Sequence, residues 1–91
     1  MNFEEKKATI EGVNEDALFA DGFEDALLGY VERFGADPVP LYDLPRCIEI
    51  LMAQGLTYEA AAEHFYFNII GAWVGDGTPA FATILGPELE V

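Results

Sequence analysis

The stretch HFYFNIIGAWVG, residues 64–75, is the feature that most restricts how this chain can fold. It carries no acidic residue, no Lys and no Arg, and it follows a helix-forming run that begins after Thr57. In a helix that continues to Gly75, apolar side chains occupy nearly every face, and such a helix is buried nearly all round. Because a chain of 91 residues has little protein with which to cover it, the stretch predicts that a further surface covers the helix.

Two arrangements provide that cover. In the first, the chain forms a homodimer, in which one helix face packs on the chain's own sheet and the other meets a second copy. The sheet-facing side chains are Phe65, Ile69 and Trp73. The predicted interface is Tyr66, Phe67, Ile70 and Val74, where Gly71 allows close approach. In the second arrangement, the preceding helix and the N-terminal segment cover the same surface within one chain. Asn68, if buried here, needs a hydrogen-bonding partner and is interpreted as a residue that fixes packing.

The pattern before and after this stretch predicts an α+β fold. LLGYVERF and VPLY flank the turn residues GADP and are typical of a hairpin, although a helical stripe also fits LLGYVERF. Asp43 and Thr57 are the expected N-caps of two successive helices, and Gly55 ends the first. PAFATIL, residues 79–85, is typical of a strand. We therefore predict a small, mainly antiparallel sheet (strand–strand–helix–helix–strand) with the two adjacent helices packed on one face.

Length and composition indicate one globular domain, residues 1–91. An apolar fraction of 52%, with 13% aromatic residues, is too high for a disordered acidic tail. Residues 1–22 form an acidic segment without a clear pattern, in which ATIEGV is compatible with a short strand and EDALFA with one helical turn. We expect this segment to be mostly irregular.

The charge balance predicts the kind of partner. Seventeen Asp and Glu residues face four Lys and Arg residues, which gives a formal net charge of -13. Direct nucleic-acid binding needs a basic surface, so we do not expect it. Basic protein surfaces would instead be attracted to this acidic chain. The candidate partner-binding residues lie close together in sequence: Glu15, Asp16, Asp21, Glu24 and Asp25. The alternative is that the acids only keep an apolar domain soluble.

The sequence offers little for catalysis or metal binding. It contains no Ser, and Cys47 with His64 is the one combination of thiol and imidazole, although a helix Cys is more often a small core residue. One Cys and one His do not supply a zinc site, and GDGTP lacks the Lys of a phosphate-binding loop. We therefore expect no enzyme activity, no cofactor and no bound transition metal.

Several features bear on the compartment. A single Cys forms no internal disulfide, which fits a reducing compartment. The start MNFEEKKATIEG has no apolar core after its charges, so we expect no signal peptide, and no apolar run is long enough for a membrane helix. These features predict a cytoplasmic protein.

The run CIEILMAQGLTYEAAAEHFYFNIIGAWVGDGTPAF resembles a family of small uncharacterised proteins of tailed bacteriophages and prophages. The resemblance extends from about Gly22 to Phe81 and departs from the family at Ala60 and Ala61, where an acid is more usual. The first 20 residues show no such resemblance. The family has no assigned activity, so the resemblance implies only a setting, the inside of a bacterial cell, and no residue inherits a role.

Two functions from different classes follow. The first is a non-enzymatic inhibitor or adaptor that binds a host or phage protein with a basic surface. Such a protein could block a host nucleic-acid-handling defence protein, in the manner of an anti-CRISPR or anti-restriction protein, by placing carboxylates where phosphates normally bind. The second is a small phage housekeeping or assembly protein that self-associates and whose acidity serves only solubility.

Overall fold

The protein is described by a computed structural model that covers residues 1–72 and 74–86. The helices and strands of this part of the chain are α1 (Phe3–Val13), β1 (Leu27–Arg33), β2 (Ala36–Asp43), α2 (Leu44–Ala53), α3 (Tyr58–Phe65) and β3 (Ala80–Ala82). A short 3-10 turn, Glu24–Ala26, precedes β1, and a π turn, Tyr66–Ile70, continues α3. The predicted α+β fold is confirmed. Trp73, which the helical pattern predicts to face the sheet, lies outside the described residues.

The sheet has the order β1-β2-β3 and is mixed. The predicted hairpin is present: β1 and β2 pair antiparallel, with Val31 opposite Val39, and Gly35 adopts a positive φ of 76° in the turn. β3 pairs with β2 in the parallel direction, so one of the two pairings departs from the expected antiparallel sheet. The physical reason is that α2 and α3 form a crossover, which returns the chain to the sheet in the direction of β2. The third strand is also shorter than the predicted 79–85.

The N-terminal segment contains a helix, so the prediction of a mostly irregular segment is wrong for α1. Asn2 accepts a hydrogen bond from the Glu5 backbone N–H at 2.9 Å, and the Glu5 side chain accepts one from the Asn2 N–H at 3.0 Å. This reciprocal capping box starts α1 and carries the ATIEGV run, proposed as a strand, into the helix. Ile10 fixes α1 on the core with 1% of its surface exposed. EDALFA forms a turn at Glu15 and Asp16 followed by irregular chain, not a helical turn.

The two helix caps predicted from sequence are present, but the second helix is shorter than predicted. Asp43 accepts from the Arg46 N–H, and Thr57 accepts from the Ala60 N–H at 3.2 Å. Regular α-helix ends at Phe65 rather than continuing to Gly75.

Asn68 lies in the π turn that follows and bonds to the preceding helix. Its side-chain amide donates to the His64 carbonyl at 3.1 Å, the acceptor that the Asn68 backbone N–H would use in an α-helix. The helix widens, and the Gly71 N–H donates to Tyr66, five residues back, at 3.3 Å. Asn68 itself is exposed, so the burial under which it was interpreted as fixing the packing is not present, and its amide bonds to the local backbone instead.

The core gathers side chains from all three helices, the hairpin and the segment before it. Its fully or nearly buried members are Ile10, Phe23, Ala26, Leu27, Tyr42, Cys47, Ile48, Leu51, Ala61 and Phe65. Phe65 lies at the meeting point, because its ring packs edge-on against Phe23 at 5.9 Å and Phe81 at 5.1 Å between centroids. These contacts join α3 to β3 and to the acidic segment that precedes β1.

Candidate functional site

The five predicted partner-binding acids lie in one segment, which we call the acidic loop: residues 14–26, between α1 and β1. Glu15 and Asp16 form a turn, Asp21 precedes Gly22 in a second turn, and the remaining two open the 3-10 turn before β1. All five side chains are exposed: Glu15, Asp16, Asp21, Glu24 and Asp25. The structure therefore brings the predicted residues onto one surface segment.

The acidic loop is fixed to the rest of the domain at its base. The Leu18 N–H donates to the Gly77 carbonyl at 3.1 Å, and the Ala20 N–H donates to the Tyr42 hydroxyl at 2.8 Å. The Asn14 side chain donates to a carbonyl of β2 at 2.8 Å. These bonds hold the loop against the sheet and against the chain that follows α3. The carboxylates are thus presented by an anchored loop, which has less conformational entropy to lose than a free segment.

None of the four strong cations forms an ion pair with these acids in the described part of the chain. Lys6 donates to a carbonyl of β1 at 2.7 Å, and Lys7 lies 5.7 Å from the centroid of an aromatic ring of the acidic loop. Arg33 donates to a carbonyl of its own hairpin at 3.2 Å. Among the described residues, the one ion pair joins Arg46 to Glu49 on α2. That part of the chain therefore supplies no ion-pairing partner for the carboxylates of the acidic loop.

The negative charge of the acidic loop also affects the pKa of Tyr42, whose hydroxyl accepts a hydrogen bond from the loop. Burial raises the pKa of its hydroxyl to about 12, and the negative charges of Glu24 and Asp21 act in the same direction, while the Ala20 hydrogen bond opposes them. Two of the acids are thus close enough to one buried hydroxyl to influence its ionisation. Hydrogen bonds place their backbone near Tyr42: Asp21 follows Ala20, whose N–H donates to the Tyr42 hydroxyl, and Glu24 accepts from the Gly22 N–H.

A groove of about 220 Å³ runs between the acidic loop and the chain that follows α3. We define it by its apolar walls: Phe19, Phe23, Ile69, Ala72, Pro79 and Phe81. Asp21 and Asn68 also line it, and the lining contains no Lys, Arg or His among the described residues. An apolar cleft with a few polar groups is the usual form of a binding site. The sequence pattern alone did not predict this groove, although the aromatic residues on either side of Asp21 in FADGF were a visible signal.

The side chains predicted for the dimer interface form an exposed apolar patch: Tyr66, Phe67, Ile70 and Val74. Their exposed fractions lie between 40% and 78%. The described part of the chain therefore does not cover them, which contradicts the arrangement in which the preceding helix and the N-terminal segment do so. Val74 belongs to this patch and also lines the groove.

Cys47 and His64 do not form a nucleophile and base. Cys47 is fully buried, and burial, followed by the negative charge of Asp43, raises the pKa of its thiol to about 12. A thiol of that pKa is protonated near neutral pH and is a weak nucleophile. His64 is exposed on α3, where its ring lies 3.3 Å from the Asn68 amide nitrogen.

Residues 1–72 and 74–86 contain neither a metal-binding cluster nor a membrane-spanning helix. No group of three or more His, Cys, Asp or Glu side chains is placed to hold a metal ion in that part of the chain. Among the same residues, no helix combines the length and apolarity needed to cross a bilayer.

Comparison of the chain with protein-family models, with curated proteins and with solved structures gives no match. The resemblance to the phage family therefore stays a prediction, and the features of the chain that bear on function are the acidic loop, the groove and the exposed apolar patch.

Proposed function

We propose that the protein is a non-enzymatic interaction protein whose acidic loop binds a basic surface on another protein. The observation that carries the proposal is the anchored loop itself, which exposes five carboxylates without an ion-pairing partner among the described residues. Such a charge distribution steers a basic partner during diffusional encounter and favours complementary surfaces. The buried, protonated thiol of Cys47 supports binding over nucleophilic catalysis.

A basic surface that normally holds phosphates is the kind of target the acidic loop fits best. Carboxylates carry the same sign of charge as a nucleic-acid backbone and accept hydrogen bonds from the same Lys and Arg groups. The resemblance to phage proteins implies only the setting, the inside of a bacterial cell. Blocking a host nucleic-acid-handling defence protein there is a prediction within this proposal.

Neutralising the acidic loop tests the proposal. The loop variant carries Asp21→Asn, Glu24→Gln and Asp25→Asn, and the amide introduced at position 24 can keep the hydrogen bond that Glu24 accepts from the Gly22 N–H at 3.0 Å. We expect it to associate more slowly with a partner captured from bacterial lysate, with a weaker salt dependence, because charges at an interface rim act mainly on the association rate. Surface changes of this kind alter folding stability by only about 0.5 kcal/mol.

A matched control separates the loop from the overall charge. The control variant carries Glu32→Gln, Glu59→Gln and Glu63→Gln. It removes the same number of negative charges as the loop variant, at exposed positions outside the loop. Equal loss of binding in both variants would show that diffuse negative charge, not the loop, binds the partner. Unchanged binding of the loop variant at every salt concentration would reject the electrostatic proposal altogether.

The exposed apolar patch favours self-association as a second candidate function. Two copies in contact repel through a net charge of -13 each, so added salt should strengthen a homodimer while it weakens binding to a basic partner. Ile70→Asp should yield a folded monomer, because Ile70 is 40% exposed in the single chain and would become buried only in the dimer.

Light scattering across a salt series measures this outcome. Ile84→Asp is the control, since Ile84 is an equally apolar side chain, 54% exposed and outside the patch. A monomeric mass at every salt and protein concentration would reject self-association, and a dimer that Ile84→Asp splits as readily as Ile70→Asp would reject the patch as its interface.

A further inference from the structure

The groove has the size and lining of a pocket for one aromatic ring. Its volume of about 220 Å³ exceeds the roughly 150 Å³ of an apolar protein cavity that accommodates benzene. Aromatic and aliphatic side chains form most of its walls, which favours the transfer of an apolar group from water. An apolar occupant therefore gains more from the groove than a charged one.

The walls of the groove are held in place by the fold. Phe23 and Phe81 come from opposite walls of the groove, and both pack against the buried ring of Phe65. The Leu18–Gly77 hydrogen bond ties the acidic loop to the segment after α3 on the other side. A pocket formed in advance binds with less loss of conformational entropy.

The polar residues around the groove favour a ligand that carries positive charge beside its apolar group. Asp21 lines the groove, and Glu24 lies near enough to act on the same Tyr42 hydroxyl. Asn68 adds an amide whose nitrogen already donates to His64, and whose oxygen is an acceptor. These groups accept hydrogen bonds and attract cations, and the described lining contains no basic side chain to attract an anion.

We propose that the groove binds an aromatic side chain carried by a linear basic segment of the partner, with Lys or Arg residues on both sides of that side chain. The inference rests on the proposed function, since it uses the same acidic loop, and it adds the anchor that loop charge alone lacks. A second copy of the chain fits this groove less well. The chain has only four Lys and Arg residues, and none of its aromatic residues has a Lys or Arg on each side in the sequence.

Three synthetic peptides test the proposal against the intact chain. The first has the sequence Lys-Lys-Phe-Lys-Lys, the second replaces the central Phe by Ala, and the third keeps Phe between pairs of Glu. Titration is followed by the backbone amide signals of the protein. We expect the first peptide to bind about tenfold more tightly than the second, because burying a Phe side chain is worth that factor or more. The perturbed signals should include those of Ala20 and Ala72.

Two pairs of variants locate the binding. Asp21→Asn should weaken the first peptide about two- to fivefold, the range of an exposed charge pair, while Glu32→Gln removes the same charge away from the groove and should not. Ala72→Leu fills the groove from an exposed position and should abolish the advantage of Phe over Ala. Ala60→Leu, the same change at an exposed position on α3, should leave that advantage intact.

The outcomes distinguish this inference from the proposed function. If the Phe and Ala peptides bind equally and perturb only the acidic loop, the groove proposal fails while electrostatic binding by the loop stands. If the Glu-flanked peptide binds as tightly as the Lys-flanked one, the charge argument fails for both. If no peptide binds at millimolar concentration, the groove proposal is rejected, and the loop proposal is then judged by its own neutralised variant.

Discussion

Phe65→Ala is the change that should most weaken both the fold and the groove. The side chain is fully buried, and its ring packs edge-on against Phe23 and Phe81, with angles between the ring planes of 81° and 90°. Replacing a buried Phe by Ala removes about 3–5 kcal/mol of stability. A chain of 91 residues has a total of about 5–14 kcal/mol. The variant therefore loses a large fraction of its stability, and the two groove walls lose their common support.

Phe34→Ala is the matched control. It makes the same change in the hairpin turn, outside the apolar patch, where the side chain is fully exposed and the expected loss is about 0.5 kcal/mol. Urea unfolding followed by far-UV circular dichroism measures both free energies from their midpoints and slopes. If Phe65→Ala does not fold, Phe65→Leu supplies the measurement with a smaller cavity. Equal losses at the two positions would show that the assigned burial of Phe65, and with it the core described above, is wrong.

Two further predictions concern the base of the acidic loop and its response to pH. Gly77→Ala should destabilise the protein by about 1–3 kcal/mol, because a Cβ there would collide with the carbonyl oxygen of Asp16. Gly12→Ala is the control, since a Cβ there meets open space, and it should stabilise the protein by up to about 1 kcal/mol in the same urea assay. Stability should fall as pH rises from 9 towards 12, because the folded state keeps the protons of Cys47 and Tyr42 to about pH 12 while the unfolded chain releases them from their ordinary values of 9.0 and 10.0. Cys47→Ala should make that decline less steep in unfolding curves recorded at each pH, and an equal slope in both proteins would contradict the shifted thiol pKa.

The hairpin and the two caps were predictable because their signals are local. Asp43 and Thr57 each accept a hydrogen bond from a backbone N–H three residues ahead, and a positive φ in the turn required Gly35. The helix α1 was missed, although Asn2 and Glu5 form the spacing of a capping box, because the β-branched residues in ATIEGV favoured a strand. The weak strand propensity of this run was given more weight than the specific spacing of the capping box.

The parallel pairing of β3 and the end of α3 depend on information that no short window contains. The direction of β3 is set by the crossover through two helices, which the order of elements alone leaves open. Within the π turn, the exposed Asn68 amide donates to the His64 carbonyl, and sequence alone does not show whether such an amide bonds to the backbone or to solvent. The continuous apolar pattern therefore predicted a longer helix than the structure contains.

The exposure of the acids was predictable, whereas the groove was not. Charged side chains are rarely buried unless paired, and a chain with so few cations cannot pair most of its acids. The groove has walls from residues 18–23 and from residues 68–81, which approach each other only after the domain has folded. Composition therefore indicates the sign of the charge on a partner, and only the tertiary structure indicates where an apolar anchor could enter.

The two candidate functions share one residue, and this makes them interdependent. Val74 is 62% exposed in the apolar patch and also lines the groove beside the acidic loop. A second copy seated on the patch would cover Val74 and so alter one wall of the groove. If both proposals hold, added salt favours contact between two acidic copies and weakens the attraction of a basic partner. Self-association and partner binding then compete through Val74, and low salt favours the form of the protein whose groove is open.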